Sequence, residues 1–463
     1  MNLRPLYLSG QEVYPLIEGG KGISVSNGQS SGAWAAAGGV GTFSAVNADR
    51  YDAQGRFVPM VYHGKTRKER HNELIAAAIA GGIDQARIAH DYAQNQGRLH
   101  MNVLWEMAGV EPILQGILEK TKNIVHGVTC GAGMPYRVAP ICAAFSVYYY
   151  PIVSSMRAFR ALWKRSFHKF SQWLGAVVYE DPWRAGGHNG LSNSENPLKP
   201  EAPFDRVLQL RQYMREVGLA ETPIIMAGGV WTLSEWRDWI DNPDLGPIAF
   251  QLGTRPLLTK ESPISHQWKE ALLTLKPGDV VLNRFSPTGF YSSAVHNRFL
   301  QELTERSHRQ IAYTTQNIGD HDTPLSMGER GRCVFVTHHD KKQADEWMRQ
   351  GFTQPLRTPD MTLIFVTPEK AQEIRTDQVE CMGCLSQCLF SNWSQSPEGT
   401  TGRKPDPRSF CIQKTLQAIA HNGPVQDHLM FAGHNVYRFA QDPFYKKGIP
   451  TVKELIDHLR QGG

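Results

Sequence analysis

Eight short apolar runs, each bounded by glycine or proline, punctuate the first part of the chain, and helical periodicity fills the space between most of them. The runs are "YPLIEGGKGISVS", "GGVGTFSAV", "LHMNVLW", "NIVHGVTCG", "YYPIVSS", "GAVVYED", "TPIIMAGGV" and "GPIAFQLGT". "KERHNELIAAAIAGGIDQARIAHDYAQ" follows the second, "VEPILQGILEKT" follows the third and "PFDRVLQLRQYMREVG" precedes the seventh, all with helical spacing of apolar residues. Eight strands with intervening helices over about 250 residues predict an α/β chain folded as a closed TIM (β/α)₈ barrel, with a doubly wound open sheet as the alternative. One segment, "YRVAPICAAFSVYYYPIVSS", admits one long strand, two short ones, or a helix and a strand.

The chain has 463 residues, more than one hydrophobic core usually fills, so the barrel is expected to carry an appendage. After about residue 275 the pattern changes. "SPTGFYSSAV" leads into the helical "NRFLQELTERSHRQIA" and a polar, turn-rich segment through Arg332. The β-type runs "RCVFVTHHD" and "TLIFVTPEK" flank the amphipathic "KKQADEWMRQGF", as in a small α/β element, and "TVKELIDHLRQGG" ends the chain as a helix. The expected division is a barrel over residues 1–275 and an extension over 276–463.

Hydrophobic residues at 41%, charged residues at 20% and a net charge of +5 describe an ordinary globular protein, without the basic excess that announces nucleic acid. The N-terminus has no uninterrupted apolar stretch behind a basic start, and no later run reaches the roughly 18–20 apolar residues of a membrane span. A cytoplasmic protein with reduced thiols and no membrane partner is expected. Residues 156–173 place Phe159, Leu162, Trp163, Phe167 and Phe170 at helical spacing, with Arg157, Arg160, Lys164, Arg165, His168 and Lys169 on the other faces. Such a face is ordinarily just solvated; its minority reading is a phosphate-bearing partner, an acyl-carrier thioester or RNA.

Glycines at two consecutive strand ends suggest a phosphate site. "PIIMAGGVW" ends in Gly228 and Gly229, and "PIAFQLGTRPLL" ends in Gly253 and Thr254. Glycine lets backbone N–H groups approach an anion, and the loops after strands seven and eight are where barrels commonly hold one. The loop "VVYEDPWRAGGHNG" presents His188 between glycines at a strand's C-terminal end. An imidazole with an ordinary pKa near 6.5 suits proton transfer at neutral pH.

Together "AGGVGTFS" (37–44), "MNVLW" (101–105), "YYPIVSS" (149–155), "AGGHNG" (185–190), "PIIMAGGV" (223–230) and "QLGTRPLLTKES" (251–262) resemble the FMN-dependent nitronate monooxygenases, formerly 2-nitropropane dioxygenases, and the related flavin-type enoyl-acyl-carrier-protein reductases. The resemblance covers roughly residues 13–300. It implies FMN at the C-terminal mouth of the barrel, with Asn102 contacting the flavin, Asp181 and Gly186 bordering it, and Gly228, Gly229, Gln251, Gly253 and Thr254 cradling its phosphate. It also implies that His188 is the acid or base at the substrate carbon. Where the family shows a Pro–Met or similar pair beneath the flavin, this chain has Gly19, Gly20, Lys21 and Gly22, so Gly20 and Gly22 are expected to shape the ring site differently. Lys21 is either a cation beside the flavin or a surface lysine in a glycine loop.

The second departure is "CMGCLSQC". Cys381, Cys384 and Cys388, with Cys411 beyond a loop, supply the four thiolates of a [4Fe–4S] cluster or a structural zinc site, or else four buried thiols. The spacing resembles iron–sulfur flavoenzymes of the 2,4-dienoyl-CoA reductase type, although their fourth cysteine comes sooner. Cys130, Cys142 and Cys333 read as core. A cluster delivers single electrons that a flavin pools, which favours a reductase. The expected function is thus an FMN oxidoreductase with the cluster as relay, a small-molecule or thioester substrate, NAD(P)H or ferredoxin as donor, and a homodimer as a compatible assembly. Its alternatives are reduction of an activated C=C bond in an enoyl thioester or nucleobase, and a non-catalytic zinc protein that binds RNA.

Overall fold

A computed structural model describes residues 3–52, 54–327 and 333–463. Residues 328–332, at the end of the expected turn-rich segment, lie outside the described residues. The eight apolar runs form eight parallel strands: β1 (Leu16–Glu18), β2 (Val40–Ser44), β3 (Arg98–Leu104), β4 (Gly127–Gly131), β5 (Tyr148–Val153), β6 (Val177–Glu180), β7 (Ile224–Ala227) and β8 (Ile248–Leu252). Each pairs with its neighbours in sequence, and β8 returns to β1 through Phe250↔Leu16, Gln251↔Ile17 and Leu252↔Glu18, closing the barrel. Closure leaves no exposed strand edge among the eight.

Helices α1 (Gly28–Ala36), α2 (Arg67–Ala93), α3 (Val110–Lys120), α4 (Val138–Ala144), α5 (Met156–Arg165) and α6 (Pro203–Glu216) pack outside. The ambiguous segment resolves as a helix, α4, followed by β5. Local chemistry sets the helix starts. Thr66 accepts from the Glu69 N–H while the Glu69 carboxylate accepts from the Thr66 N–H, a reciprocal cap that begins α2. Asn27 caps α1 through the Ser30 N–H, and Ser155 caps α5 through that of Ala158. Phe159 and Leu162 of α5 are buried, as the spacing predicted.

Side chains alternate across each strand. Val40, Tyr150, Ile152, Ala176, Val178, Ile225, Ala227 and Ala249 form a core inside the barrel, whereas Val177, Tyr179, Ile224, Met226 and Phe250 face the helices. An N-terminal hairpin, Leu6–Leu8 with Gln11–Val13, closes the bottom. There the Ser9 hydroxyl bonds to His100 Nε2 at 2.9 Å and to the Tyr150 hydroxyl at 2.6 Å.

Beyond the barrel, strands Val280–Asn283 and Ser292–Val295 form a hairpin that takes Gly187–His188 as its third strand. The small α/β element follows as expected: Gln310–Ala312, Thr362–Val366 and Gln354–Arg357 form one antiparallel sheet, and Thr323–Ser326 pairs with Cys333–Val336. Its separate core includes Ile311, Leu325, Val334, Val336, Leu363 and Phe365. Cys130 and Cys142 are buried, but Cys333 is exposed, which corrects its assignment to the core. Val334 and Val336 take the inward positions of that strand, so Cys333 points out. The last helix, Val452–Arg460, packs against α1, with the Arg460 guanidinium 3.8 Å from the Tyr14 ring centre. Among the described residues no helix is long and apolar enough to cross a membrane.

The tightest packing of β2 against α1 is at Gly41, where a Cβ would fall 1.8 Å from the Ser31 carbonyl oxygen. Backbone cannot yield as a side-chain tip does. Gly41→Ala is therefore expected to destabilise the barrel by about 1–3 kcal/mol, read as a lower urea midpoint at unchanged slope.

Candidate active site

The C-terminal ends of the strands open into one cavity, and the sequence-predicted residues meet there. Gly20, Gly22, Asn102, Gly186, His188, Gly228, Gly229, Gln251, Gly253 and Thr254 all line it. Gly228 and Gly229 hold left-handed backbone, with φ of +90° and +79°, where a side chain would be strained. A Cβ on Gly253 would meet nothing within 4 Å, so its glycine leaves open space beside the β8 turn. A Cβ on Gly20 would lie 2.4 Å from Asn102 Cγ, so the glycine admits the asparagine side chain at the mouth. This smooth, backbone-lined wall with Asn102, Gln251 and Thr254 fits a flat cofactor with a phosphate tail.

Sequence reasoning missed the segment that completes the cradle. Phe431, Ala432, Gly433 and Asn435 line the cavity from the far C-terminal part of the chain. The Gly433 N–H donates to Thr254 Oγ1 at 2.9 Å, leaving the threonine O–H free to donate, and Asn435 Nδ2 donates to the Gly229 carbonyl at 2.8 Å. Arg255, fully buried, ties the two turns together by donating to the Trp231 carbonyl at 2.7 Å and the Tyr445 hydroxyl at 3.0 Å.

Asp181 is placed differently from the expectation. It is buried beside the cavity without lining it, and its Oδ1 accepts from the N–H groups of Trp183 at 2.9 Å and Arg184 at 3.1 Å, building the turn after β6. The carboxyl that does line the cavity is its neighbour Glu180. Ala176 and Val178 face the barrel interior, so two-residue periodicity carries Glu180 inward and Asp181 outward. Burial, and then the charge of Asp181, push the Glu180 carboxyl up to about 8.

Lys21 is no surface residue. Its side chain is 5% exposed and lines the cavity, with Nζ 2.6 Å from Oε1 of Glu18, whose own side chain is fully buried. Glu18 also accepts from Ser30 Oγ at 2.6 Å and the Thr42 N–H at 3.2 Å, which satisfies a charge that would otherwise be costly to bury.

His188 is held from both sides. Its backbone pairs with Ser292 of the extension, and its Nε2 lies 2.6 Å from Ser286 Oγ, itself 2.9 Å from Thr288 Oγ1. The ring packs against Phe431, centroids 5.3 Å apart. Burial drives its pKa from 6.5 down to about 4, so the imidazole is neutral at physiological pH.

The four thiols are also neighbours. Ionisation of Cys384 is opposed by burial and then by Cys411, Cys388 and Cys381. Cys381 Sγ accepts from the Gly383 N–H at 3.4 Å and from Ser391 Oγ at 3.0 Å. Cys384 reaches the cavity wall, and its carbonyl accepts from the Ala108 N–H at 3.2 Å. Among the described residues, however, no group of three or more His, Cys, Asp or Glu side chains is gathered closely enough to hold a metal ion. The expected ligand set is thus present as a neighbourhood of sulfurs rather than as an assembled site.

A family model described as nitronate monooxygenase matches residues 8–462. A curated relative, "Probable nitronate monooxygenase" of Staphylococcus aureus (strain Newman), is 27% identical over 144 residues, 31% of this chain and 38% of that protein. The aligned part therefore spans well under half of that relative's length. Among solved structures, FabK from Thermotoga maritima superposes with a TM-score of 0.52 at 14% identity, covering 97% of this chain and 92% of that one, a likeness of fold.

The depressed pKa of His188 makes a signed prediction. Between pH 6.5 and about 4 the unfolded chain binds a proton at this position that the folded chain refuses, so the stability from neutral His188 is complete above pH 6.5 and is lost as pH falls towards 4. The urea midpoint of the wild type should drop more between pH 7.5 and 5 than that of His188→Gln. Equal drops would mean that the imidazole titrates normally.

Proposed function

The chain belongs to the nitronate monooxygenase family, and from that membership we propose that it is an FMN-dependent oxidoreductase that reduces an activated C=C bond in a small molecule or thioester. The observation that carries this reading is the meeting, in one cavity, of the glycine turns after β7 and β8 with His188 and Lys21. Bound FMN would supply hydride chemistry; the chain supplies everything around it. In this reading Gly228, Gly229, Gln251, Gly253 and Thr254 would hold the phosphate, and Asn102 would contact the flavin. Lys21 places a fixed cation in the same cavity, favouring negative charge on a reduced ring.

His188 serves here as a neutral hydrogen-bonding group for a polarised substrate oxygen, kept in orientation by Ser286 and Thr288. With its pKa near 4 it is a weak base for removing a proton from carbon, which favours reduction over oxidation of a carbon acid. The finer part of the proposal is a [4Fe–4S] cluster on Cys381, Cys384, Cys388 and Cys411. Four neighbouring cysteines, Cys381 accepting N–H and O–H hydrogen bonds and Cys384 on the cavity wall, support it. NAD(P)H or a ferredoxin is the class of donor this arrangement calls for.

Protein purified without air should contain FMN near one per chain and about four iron atoms. Its reduced flavin should be reoxidised anaerobically by a crotonyl thioester; zinc without iron would refute the cluster. Oxygen consumption with a nitronate, and none of this reoxidation, would place the reaction in the oxidative branch. His188→Ala should keep FMN while losing about 10²-fold or more in turnover, and unchanged turnover would remove His188 from the chemistry. Gly228→Glu should abolish flavin retention, since both the left-handed backbone and the anion site reject it; full flavin occupancy would count against the cradle.

A further inference from the structure

Besides the Cys384 thiol, four ionisable side chains line the cavity among the described residues: Lys21, Glu180, Arg184 and His188. Three have partners. Lys21 is paired with Glu18, His188 is bonded to Ser286, and Arg184, half exposed, lies 3.7 Å from Asp181. Glu180 makes no side-chain hydrogen bond and no ion pair among the described residues. The strands on either side give it no charge to pair with, since β7 sets Ala227 opposite it and β5 sets Val153 opposite Tyr179. The charged group nearest along its own strand is Asp181, of like sign, which is already occupied by the Trp183 and Arg184 N–H groups. A half-buried carboxyl with no ion-pair partner, no hydrogen-bond donor and an acidic neighbour gains little from ionising.

We propose that Glu180 is held as a neutral carboxylic acid at the inner end of β6 and is the proton donor of the reaction. The inference rests on the C=C-reduction reading. Reduction of an activated double bond needs two hydrogens of different kinds: a hydride, with its electron pair, from the reduced cofactor to one carbon, and a proton to the other. Neutral His188 has no proton of sufficient acidity to give at pH 7, and Lys21 is committed to Glu18. Glu180 breaks its O–H bond as the new C–H bond forms, becomes a carboxylate, and regains its proton from water once the product leaves. The oxidised cofactor is re-reduced by the external donor named above. Such a division, with one group pushed below neutrality and its neighbour above it, separates the donor from the hydrogen-bonding partner. The Glu180 carboxyl at about 8 and the His188 imidazole at about 4 are such a pair.

The test uses the FMN-loaded, full-length enzyme in two measurements. Infrared difference spectra between pH 6.5 and 9.5 should show a protonated-carboxyl C=O band lost with a midpoint near 8 in the wild type and absent in Glu180→Gln. In the second measurement, enzyme reduced with dithionite is mixed anaerobically with crotonyl N-acetylcysteamine thioester, and flavin reoxidation is followed by its absorbance. The wild-type rate should fall about tenfold per pH unit above about 8. Glu180→Gln keeps the shape and a hydrogen-bond donor but has no proton to lose. It should be slower by about 10²-fold or more at every pH, without the alkaline limb. Absence of the infrared band, or a Glu180→Gln rate and pH profile matching the wild type, overturns the inference. Failure of the wild type to reoxidise overturns the reductase reading and the proton transfer with it, so the two failures are told apart.

Discussion

Closure of the barrel by β8 against β1 is the constraint on which the rest of the molecule depends. Once Phe250 is in register with Leu16 and Leu252 with Glu18, every strand has a fixed inward and outward set of side chains. The inward set of β5 to β8 is apolar below and changes to functional groups only at the last position, where Glu180 and Gln251 follow Val178 and Ala249. A one-residue slip in β6 would exchange Glu180 for Tyr179 and Asp181, and the cavity would lose its unpaired carboxyl. Register is thus also the device that decides which titratable groups the cavity contains.

The extension acts on this cavity through hydrogen bonds in which at least one partner is backbone. Ser292 pairs with His188, Gly433 donates to Thr254, Asn435 donates to the Gly229 carbonyl, and the Cys384 carbonyl accepts from Ala108 beyond β3. Loops at a barrel mouth are ordinarily free to vary, and here four of them are tied to segments at least 100 residues away in sequence. Orientation gained this way matters for chemistry, because a small displacement of a proton-handling group is expensive in rate. The close fit of Gly186 to the segment carrying Ala432, where a Cβ would stand 2.5 Å from the carbonyl carbon, belongs to the same clamp.

Much of this was legible before any coordinates. All eight strands and the three quoted helices sit where their periodicity put them, since a central parallel strand is apolar on both faces and its boundaries are marked by glycine or proline. The glycine turns and His188 were legible for the same reason: few structures other than a strand end explain such residues there. What escaped was long-range. Nothing local in "FAGHNV" reveals that Ala432 and Gly433 return to the β7 and β8 turns, and nothing in "SPTG" that Ser286 meets His188. Glu180 is different, because "VVYED" already contained the answer. Alternation from Val178 puts the glutamate inside and the aspartate outside, and motif resemblance drew attention to Asp181 instead. Cys333 shows the converse, since only alternate residues of its apolar strand, Val334 and Val336, face the core.

The charges of the cavity also form a consistent set. Glu18 has three donors, from Lys21, Ser30 and Thr42, although no part of it is exposed. That pairing holds Lys21 within the cavity wall. If Glu180 were ionised, the cavity would hold an anion with no hydrogen-bond donor among the described residues. A neutral Glu180 adds no further negative charge to the cavity in which charge develops on a bound ring or substrate. The two carboxyls at the ends of β1 and β6 therefore differ in the number of hydrogen-bond donors the fold brings to each, three at Glu18 and none among the described residues at Glu180.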